Sequence, residues 1–197
     1  PARAQSPVFT IRSNTEVPQF IQALTVPNAR IAIHGNVTLD LVGNSNLYIA
    51  PGVQIIGDRT LFPRGPLIES SAAAPGSARA IFVVGGEFDT LSDNVRISGI
   101  RFNGFGGTEA SQKVAISIRG ANNVEIDNNE FFGWGRAAVE VLDTEILWRD
   151  RLRMANASTI HIHDNFIHDN HAPFGHGVWI REDAYALIDR NVFHNNR

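Results

Sequence analysis

Short runs in which apolar residues alternate with polar or small ones dominate the chain, and almost every run stops at Gly, Asn or Pro. ARIAIHG (29–35), NVTLDLVG (36–43), NLYIAPGVQIIG (46–57) and ARAIFVVGG (78–86) all have this form. A period of two puts successive side chains on opposite faces, so the pattern predicts many short β-strands separated by tight turns. One stretch breaks it. Asn14 or Thr15 can cap a helix, Glu16 favours its first turn, and Pro18 falls early enough to be tolerated. Phe20, Ile21 and Leu24 then form an apolar stripe, which predicts one helix within residues 14–26, ending before Pro27.

The strand pattern is also repeated. NVRISGIRFNG (94–104), NVEIDNNEFFG (123–133), TIHIHDNFIHD (159–169) and ALIDRNVFHNN (186–196) superpose, the last entering one residue later. Their apolar columns are Val95, Val124, Ile160 and Ala186; Ile97, Ile126, Ile162 and Ile188; and Phe102, Phe131, Ile167 and Phe193. Ile100 of the first copy gives way to Asn129, Asn165 and Asn191 in the others. A further strand precedes each copy, at 80–84, 114–118, 137–141 and 176–180. Successive copies are offset by 29, 36 and 26 residues, a constant core with loops of variable length. This is the signature of a solenoid, each unit running strand, turn, strand, Asn corner, strand. An antiparallel sandwich would account for the strands but not for the recurring Asn.

Composition narrows the class. The 197 residues are 43% apolar, enough for a single domain with one continuous core. A net charge of −3 gives no footprint for nucleic acid, and no apolar run approaches the roughly 18 residues that span a bilayer. Cysteine is absent, so no disulfide staples the fold. The opening PARAQSP lacks the apolar segment of a signal peptide, which fits an export signal removed before this point. Sequons at Asn36 and Asn156 matter only where the source glycosylates.

With these motifs in hand, the chain resembles the right-handed parallel β-helices of the pectate-lyase-like superfamily. NLYIAPGVQIIG is similar to that family's early coil, and VAISIRGANNVEIDNNEFFGW to its central segment. The resemblance implies an all-β fold over residues 1–197, with coils stacked from about 29 to 197 and the helix plugging one end of the stack. Asn129, Asn165 and Asn191 are expected at a tight corner, adopting left-handed backbone and bonding coil to coil. The chain departs from the calcium-dependent pectate lyases. SQKVAIS carries Lys113 and Val114 where those enzymes place aspartates, and the Arg-x-Pro-x-x-Arg pattern is absent. HGVWIREDAYALIDRN is similar to the β-helix C5-epimerases without their Asp-Pro-His-Asp motif. The chain stops at HNNR directly after a strand, so further C-terminal coils or another chain are expected to cover that end.

Strict alternation places Ile81 and Val83, Ile116 and Ile118, Val139 and Val141, and Val178 and Ile180 inward on the first strand of each coil. Phe82, Val84, Ser117, Arg119, Glu140, Leu142, Trp179 and Arg181 then face outward. Arg119, Glu140, His176 and Arg181 are the candidate catalytic residues, with Lys113, Trp134, Arg136, Trp179 and Glu182 as substrate contacts. Indole rings suit the apolar face of a sugar, guanidinium forks suit carboxylates, and a His or Glu can move a proton. The insertion 142–158, with Glu145, Trp148, Arg149, Asp150, Arg151 and Arg153, could wall a cleft.

IHIHDNFIHDNH (160–171) raises a second expectation. His161 and His163 face outward together, and His163 shares a column with Ser98, Asp127 and Asp189, whereas His168 lies beyond the Asn165 corner. His161, His163, Asp127 and Asp189 are the candidate metal ligands, a divalent cation being the only cofactor considered. The expected function is secreted, extracellular action on a uronic-acid polysaccharide by β-elimination or an epimerase-like step, with neither nucleic acid nor membrane as partner. Two alternatives stand beside it: hydrolysis pairing Glu140 with Asp143, Glu182 or Asp183, and a non-catalytic binding or structural solenoid.

Overall fold

The computed structural model describes residues 6–70, 80–86, 93–105, 114–142, 160–171, 174–181 and 184–197. Its strands fall into three parallel sheets that the chain visits in rotation. The first sheet contains β4 (Leu47–Ile49), β7 (Ala80–Gly85), β10 (Val114–Arg119), β13 (Ala137–Leu142) and β16 (His176–Arg181). The second contains β1 (Val8–Ile11), β2 (Arg30–Ile33), β5 (Gln54–Gly57), β8 (Arg96–Ser98), β11 (Val124–Asp127), β14 (Ile160–His163) and β17 (Leu187–Asp189). The third contains β3 (Thr38–Asp40), β6 (Leu67–Glu69), β9 (Arg101–Asn103), β12 (Glu130–Phe132), β15 (Phe166–His168) and β18 (Val192–His194). A chain passing from first to second to third sheet, and then beginning the next layer, is a β-helix.

The register reproduces the sequence repeat. Ile97, Ile126, Ile162 and Ile188 pair in succession, and Ile31 and Ile55 extend that column toward the N-terminus. On the third sheet Leu39, Ile68, Phe102, Phe131, Ile167 and Phe193 form the matching column. Phe102 and Phe131 stack with centroids 4.9 Å apart and planes 6° from parallel, the spacing that parallel strands impose. Ile97, Ile126 and Ile162 are completely buried, whereas Ile188 and Phe193 of the last coil are 36% and 50% exposed.

At the other end, Ser13 caps a short 3-10 turn (Asn14–Glu16), and the Glu16 carboxylate accepts from the Ser13 backbone N–H to complete a capping box. The helix α1 (Val17–Leu24) follows, so Ser13 takes the capping role expected of Asn14 or Thr15. Asn14 instead accepts from the Thr38 backbone N–H at 2.9 Å, tying the turn to β3. Phe20, Ala23 and Leu24 enter the core, and Phe20 meets Phe82 at 6.0 Å between centroids.

Two expectations change. Phe82 and Val84 pair with Ile116 and Ile118 and join the main core, while Val83 lies in the outward column with Ser117. Ile81 and Phe82, Ala115 and Ile116, and Ala138 and Val139 are consecutive residues that all join the main core. Alternation therefore breaks once in each of these strands, and a phase counted strictly by twos fails. The left-handed backbone also belongs not to the stacked asparagines but to the residues before them, Asn128, Asp164 and Arg190. Asn129, Asn165 and Asn191 link the coils. Each Oδ1 accepts the backbone N–H of the corner before it (Ile100, Asn129 and Asn165), and each amide donates to Ile97, Ile126 or Ile162.

Candidate functional site

β10, β13 and β16 bring Ser117, Glu140 and Trp179 into one outward row, and Arg119, Leu142 and Arg181 into the next. The face is a network rather than a set of free groups. Glu140 is only 1% exposed. Ser117 donates its hydroxyl to Glu140 Oε2 at 3.2 Å, and Arg181 donates to Oε1 at 3.3 Å. Arg136, four residues before Glu140, forms an ion pair with Oε1 at 3.4 Å. Arg119, 8% exposed, donates its Nε–H to Ser117 at 3.1 Å. A buried carboxylate is tolerable only with partners of this kind.

Trp179 organises the accessible side. The Arg136 guanidinium lies 4.4 Å from its ring centroid and that of Arg181 4.8 Å, both over the indole. His176 stands 5.2 Å from Trp179, and Phe174, 52% exposed, lies 6.1 Å from His176 and 6.4 Å from Trp179. Beside them Ala80, Val83, Val114 and Ala137 form a small buried apolar cluster against which Trp179 packs. Stacking and the Glu140 carboxylate both restrict the Arg181 fork, which remains 27% exposed.

Glu140, Arg136, His176, Trp179 and Arg181 are thus brought together on one face. Arg119 sits beneath that surface. Trp134 does not belong to it at all: its ring is fully buried in the main core, and its indole N–H donates to Phe102 O at 3.3 Å. The bare Gly104 makes room for it, since a Cβ there would stand 2.8 Å from the Trp134 ring. Lys113, Asp143, Glu182, Asp183 and the insertion residues Glu145, Trp148, Arg149, Asp150, Arg151 and Arg153 lie outside the described residues. Phe174 and Ser117 were missed as contributors, although Ser117 is the lone hydroxyl in the apolar run VAISI.

The histidine segment is a second network, and it pairs its members off. Asp127, completely buried, receives two bonds from Arg96 at 2.9 Å, one from Ser98 at 2.9 Å and one from Asn128 at 2.6 Å. Burial works against its charge, yet these donors prevail and hold the carboxyl below its ordinary range. His161 bonds Asp189 at 2.7 Å. His163 lies between Asp164 at 2.7 Å and Glu125 at 3.1 Å. Burial opposes the imidazolium, but Asp164 and Glu125 outweigh it and raise the His163 pKa. Arg190 and His163 together hold Asp164 down at about 2. Among the described residues no three His, Asp or Glu side chains are grouped so as to hold a metal ion. His161, His163, Asp127 and Asp189 are each bonded to a side chain of a neighbouring coil and so tie coil to coil.

The same pattern recurs five residues on. His168 sits between Asp169 at 2.8 Å and Glu130 at 3.2 Å, on the third sheet, away from His161 and His163 as expected. The tripeptide His-Asp-Asn occurs twice, at 163–165 and 168–170, and builds two corners. Asn170 bonds the Trp134 backbone N–H at 2.7 Å, and Asn196 bonds Asn170 at 2.8 Å, forming a second Asn ladder.

Comparison with known proteins gives one result of substance. A family model described as a right-handed β-helix region matches residues 29–197. No curated protein and no solved structure matches the chain.

Proposed function

Since the chain belongs to the right-handed β-helix family across residues 29–197, we propose that it is a secreted carbohydrate-active domain that takes an acidic polysaccharide across its first sheet. The observation that carries this reading is Trp179 with the Arg136 and Arg181 guanidiniums fixed over its ring and His176 at 5.2 Å. A uronate residue needs a guanidinium fork for its carboxylate and an aromatic edge or face for its ring. Forks already held by stacking and by Glu140 lose little further freedom on binding one.

The chemistry such a face suits is β-elimination. Arg181 neutralises the uronate carboxylate and stabilises the enolate formed when His176 accepts the C5 proton; collapse of that enolate breaks the C4–O bond, leaves a C4–C5 double bond, and the departing oxygen takes up a proton from solvent. Arg119 and Glu140 are positioning residues in this scheme, because both are buried and are bonded to Ser117, and Glu140 also to Arg136 and Arg181. Hydrolysis is disfavoured. Glu140 is the one carboxylate among the described strand residues of the first sheet, and its oxygens are already engaged.

A panel of polyuronates, followed at the ultraviolet absorbance of unsaturated products, tests the lyase chemistry. His176→Ala should abolish turnover and leave polymer binding within about threefold, whereas turnover retained by His176→Ala refutes its assignment. Binding without turnover on every polymer supports a purely polysaccharide-binding solenoid.

A further inference from the structure

The loop that leaves β5 does not simply return to the third sheet. Arg59 directs its guanidinium along the stack, donating to Asn128 O at 2.9 Å two coils away, and to Pro63 O and Arg64 O of its own loop at 2.8 and 3.4 Å. Beneath it the backbones meet closely: a Cβ on Gly57 would stand 2.2 Å from Gly99 O, and one on Gly65 2.4 Å from the same atom. Only glycine lets the loop lie on that corner. The loop then forms one wall of a groove of about 480 Å³, bounded by Arg59, Arg64, Arg101, Glu130, Asp164 and Phe166. This volume falls in the range of roughly 300–1,000 Å³ typical of small-ligand sites. The groove follows the corner between second and third sheets, the one corner of each coil that the first sheet does not touch.

Its electrostatics are asymmetric. The two carboxylates are already engaged, Glu130 by Arg101 at 2.6 Å and Asp164 by Arg190 and His163. Arg59 directs its bonds to carbonyl oxygens, and among the described residues no carboxylate pairs with it. Arg64 is exposed, and its side chain makes no hydrogen bond or ion pair among the described residues. It also lines an adjoining hollow of about 400 Å³ with Phe62 and Leu67. Phe166 supplies an aromatic surface, 40% exposed and stacked on His168 with centroids 4.1 Å apart.

We propose that this groove is a second saccharide site, which binds one to three units of an acidic sugar, with its carboxylate at Arg59 and Arg64 and its ring against Phe166. The site does not depend on the reading of the first sheet. Two uncancelled guanidiniums select an anion, and an exposed ring beside them selects a flat apolar face, which a uronate offers and a simple inorganic anion does not.

Calorimetric titration with trigalacturonate, using a neutral trisaccharide of equal length as control, tests the proposal. Arg64→Gln should weaken binding at this site roughly tenfold and Phe166→Ala by a similar factor. Both side chains reach the surface, so an unchanged circular dichroism spectrum will confirm folding. Affinity within twofold of wild type in both variants overturns the proposal, as does equal binding of the neutral sugar. A Trp179→Ala chain separates the two sites. If it loses all binding, the groove proposal fails and the first-sheet reading stands; if Arg64→Gln alone removes all binding, the groove stands and the first-sheet reading fails.

Discussion

Asn165→Ala is the most searching perturbation of the stack. The side chain is 2% exposed. Its Oδ1 accepts the Asn129 backbone N–H at 3.0 Å, and its amide donates to Ile126 O and His163 O, both at 2.9 Å. Alanine removes these bonds, together with those to the side chains of Asn129 at 3.1 Å and Asn191 at 2.9 Å, and leaves the Asn129 N–H buried without that acceptor. An orphaned buried group costs about 1–3 kcal/mol, so two or three of them, partly relaxed, should cost about 3–5 kcal/mol. With a urea m-value of about 2 kcal/mol/M, the midpoint should fall by about 1.5–2.5 M. Asn196→Ala is the internal control. Asn196 bonds Asn170 and Ile167 O in the same way, but in the last coil, where the bonds are only part-buried. Its loss should cost about 1 kcal/mol. Urea titrations followed together by circular dichroism and tryptophan fluorescence measure both. A shift for Asn165→Ala no larger than that for Asn196→Ala would refute the ladder as a source of stability.

Three further outcomes follow from the same geometry. Phe82→Ala should cost about 3–5 kcal/mol and Tyr48→Ala, half-exposed in the outward column with Val83, under about 1 kcal/mol; the reverse order in urea titrations would restore the strictly alternating phase. Glu140→Ala should destabilise by about 3–5 kcal/mol in the same titrations, because it strands Arg136 and Arg181 against an emptied site, and a loss below 1 kcal/mol contradicts the buried network. Stability should also be greatest between about pH 4 and 6.5. The raised pKa of His163 gives stability that is complete below its ordinary value and lost as pH rises through the folded one. The lowered pKa values of Asp127, Asp164 and Asp169 give stability present above about 3.9 and lost on acidification, for Asp164 through about 2. Thermal midpoints should therefore be higher at pH 5.5 than at 8.5 in low salt, and His163→Gln should shrink that difference; an unchanged difference would count against the His163 contacts.

The chain states its solenoid plainly, because core rungs recur at fixed places in each unit and a parallel stack keeps them in register. Ile97, Ile126, Ile162 and Ile188 can be aligned by eye, and the structure pairs them. The phase of AIFVV could not be read the same way, since a strand with no polar residue does not mark its outward face. Its neighbour VAISIR does carry the mark, at Ser117 and Arg119, and matching strand ends rather than counting alternate residues would have set Val83 beside Ser117. Trp134 misled for a related reason. An indole next to Gly133 in a loop resembles a sugar platform, and only the space left by Gly104 shows that it turns inward. The histidines looked like ligands because sequence spacing gives neighbours but not partners. Arg96 and Arg190 are distant in sequence from the Asp127 and Asp164 that they engage, and adjacent to them only once the coils stack.

The claim that joins fold to function is that the Trp179 face holds an acidic polysaccharide. Calorimetric titration of the wild-type and Trp179→Ala chains with polygalacturonate, at low and moderate salt, tests it most directly. The account predicts salt-sensitive binding by the wild type and at least roughly tenfold weaker binding at the first-sheet site without the indole. Equal affinities for the two chains, or no binding by the wild type to any polyuronate, would contradict it.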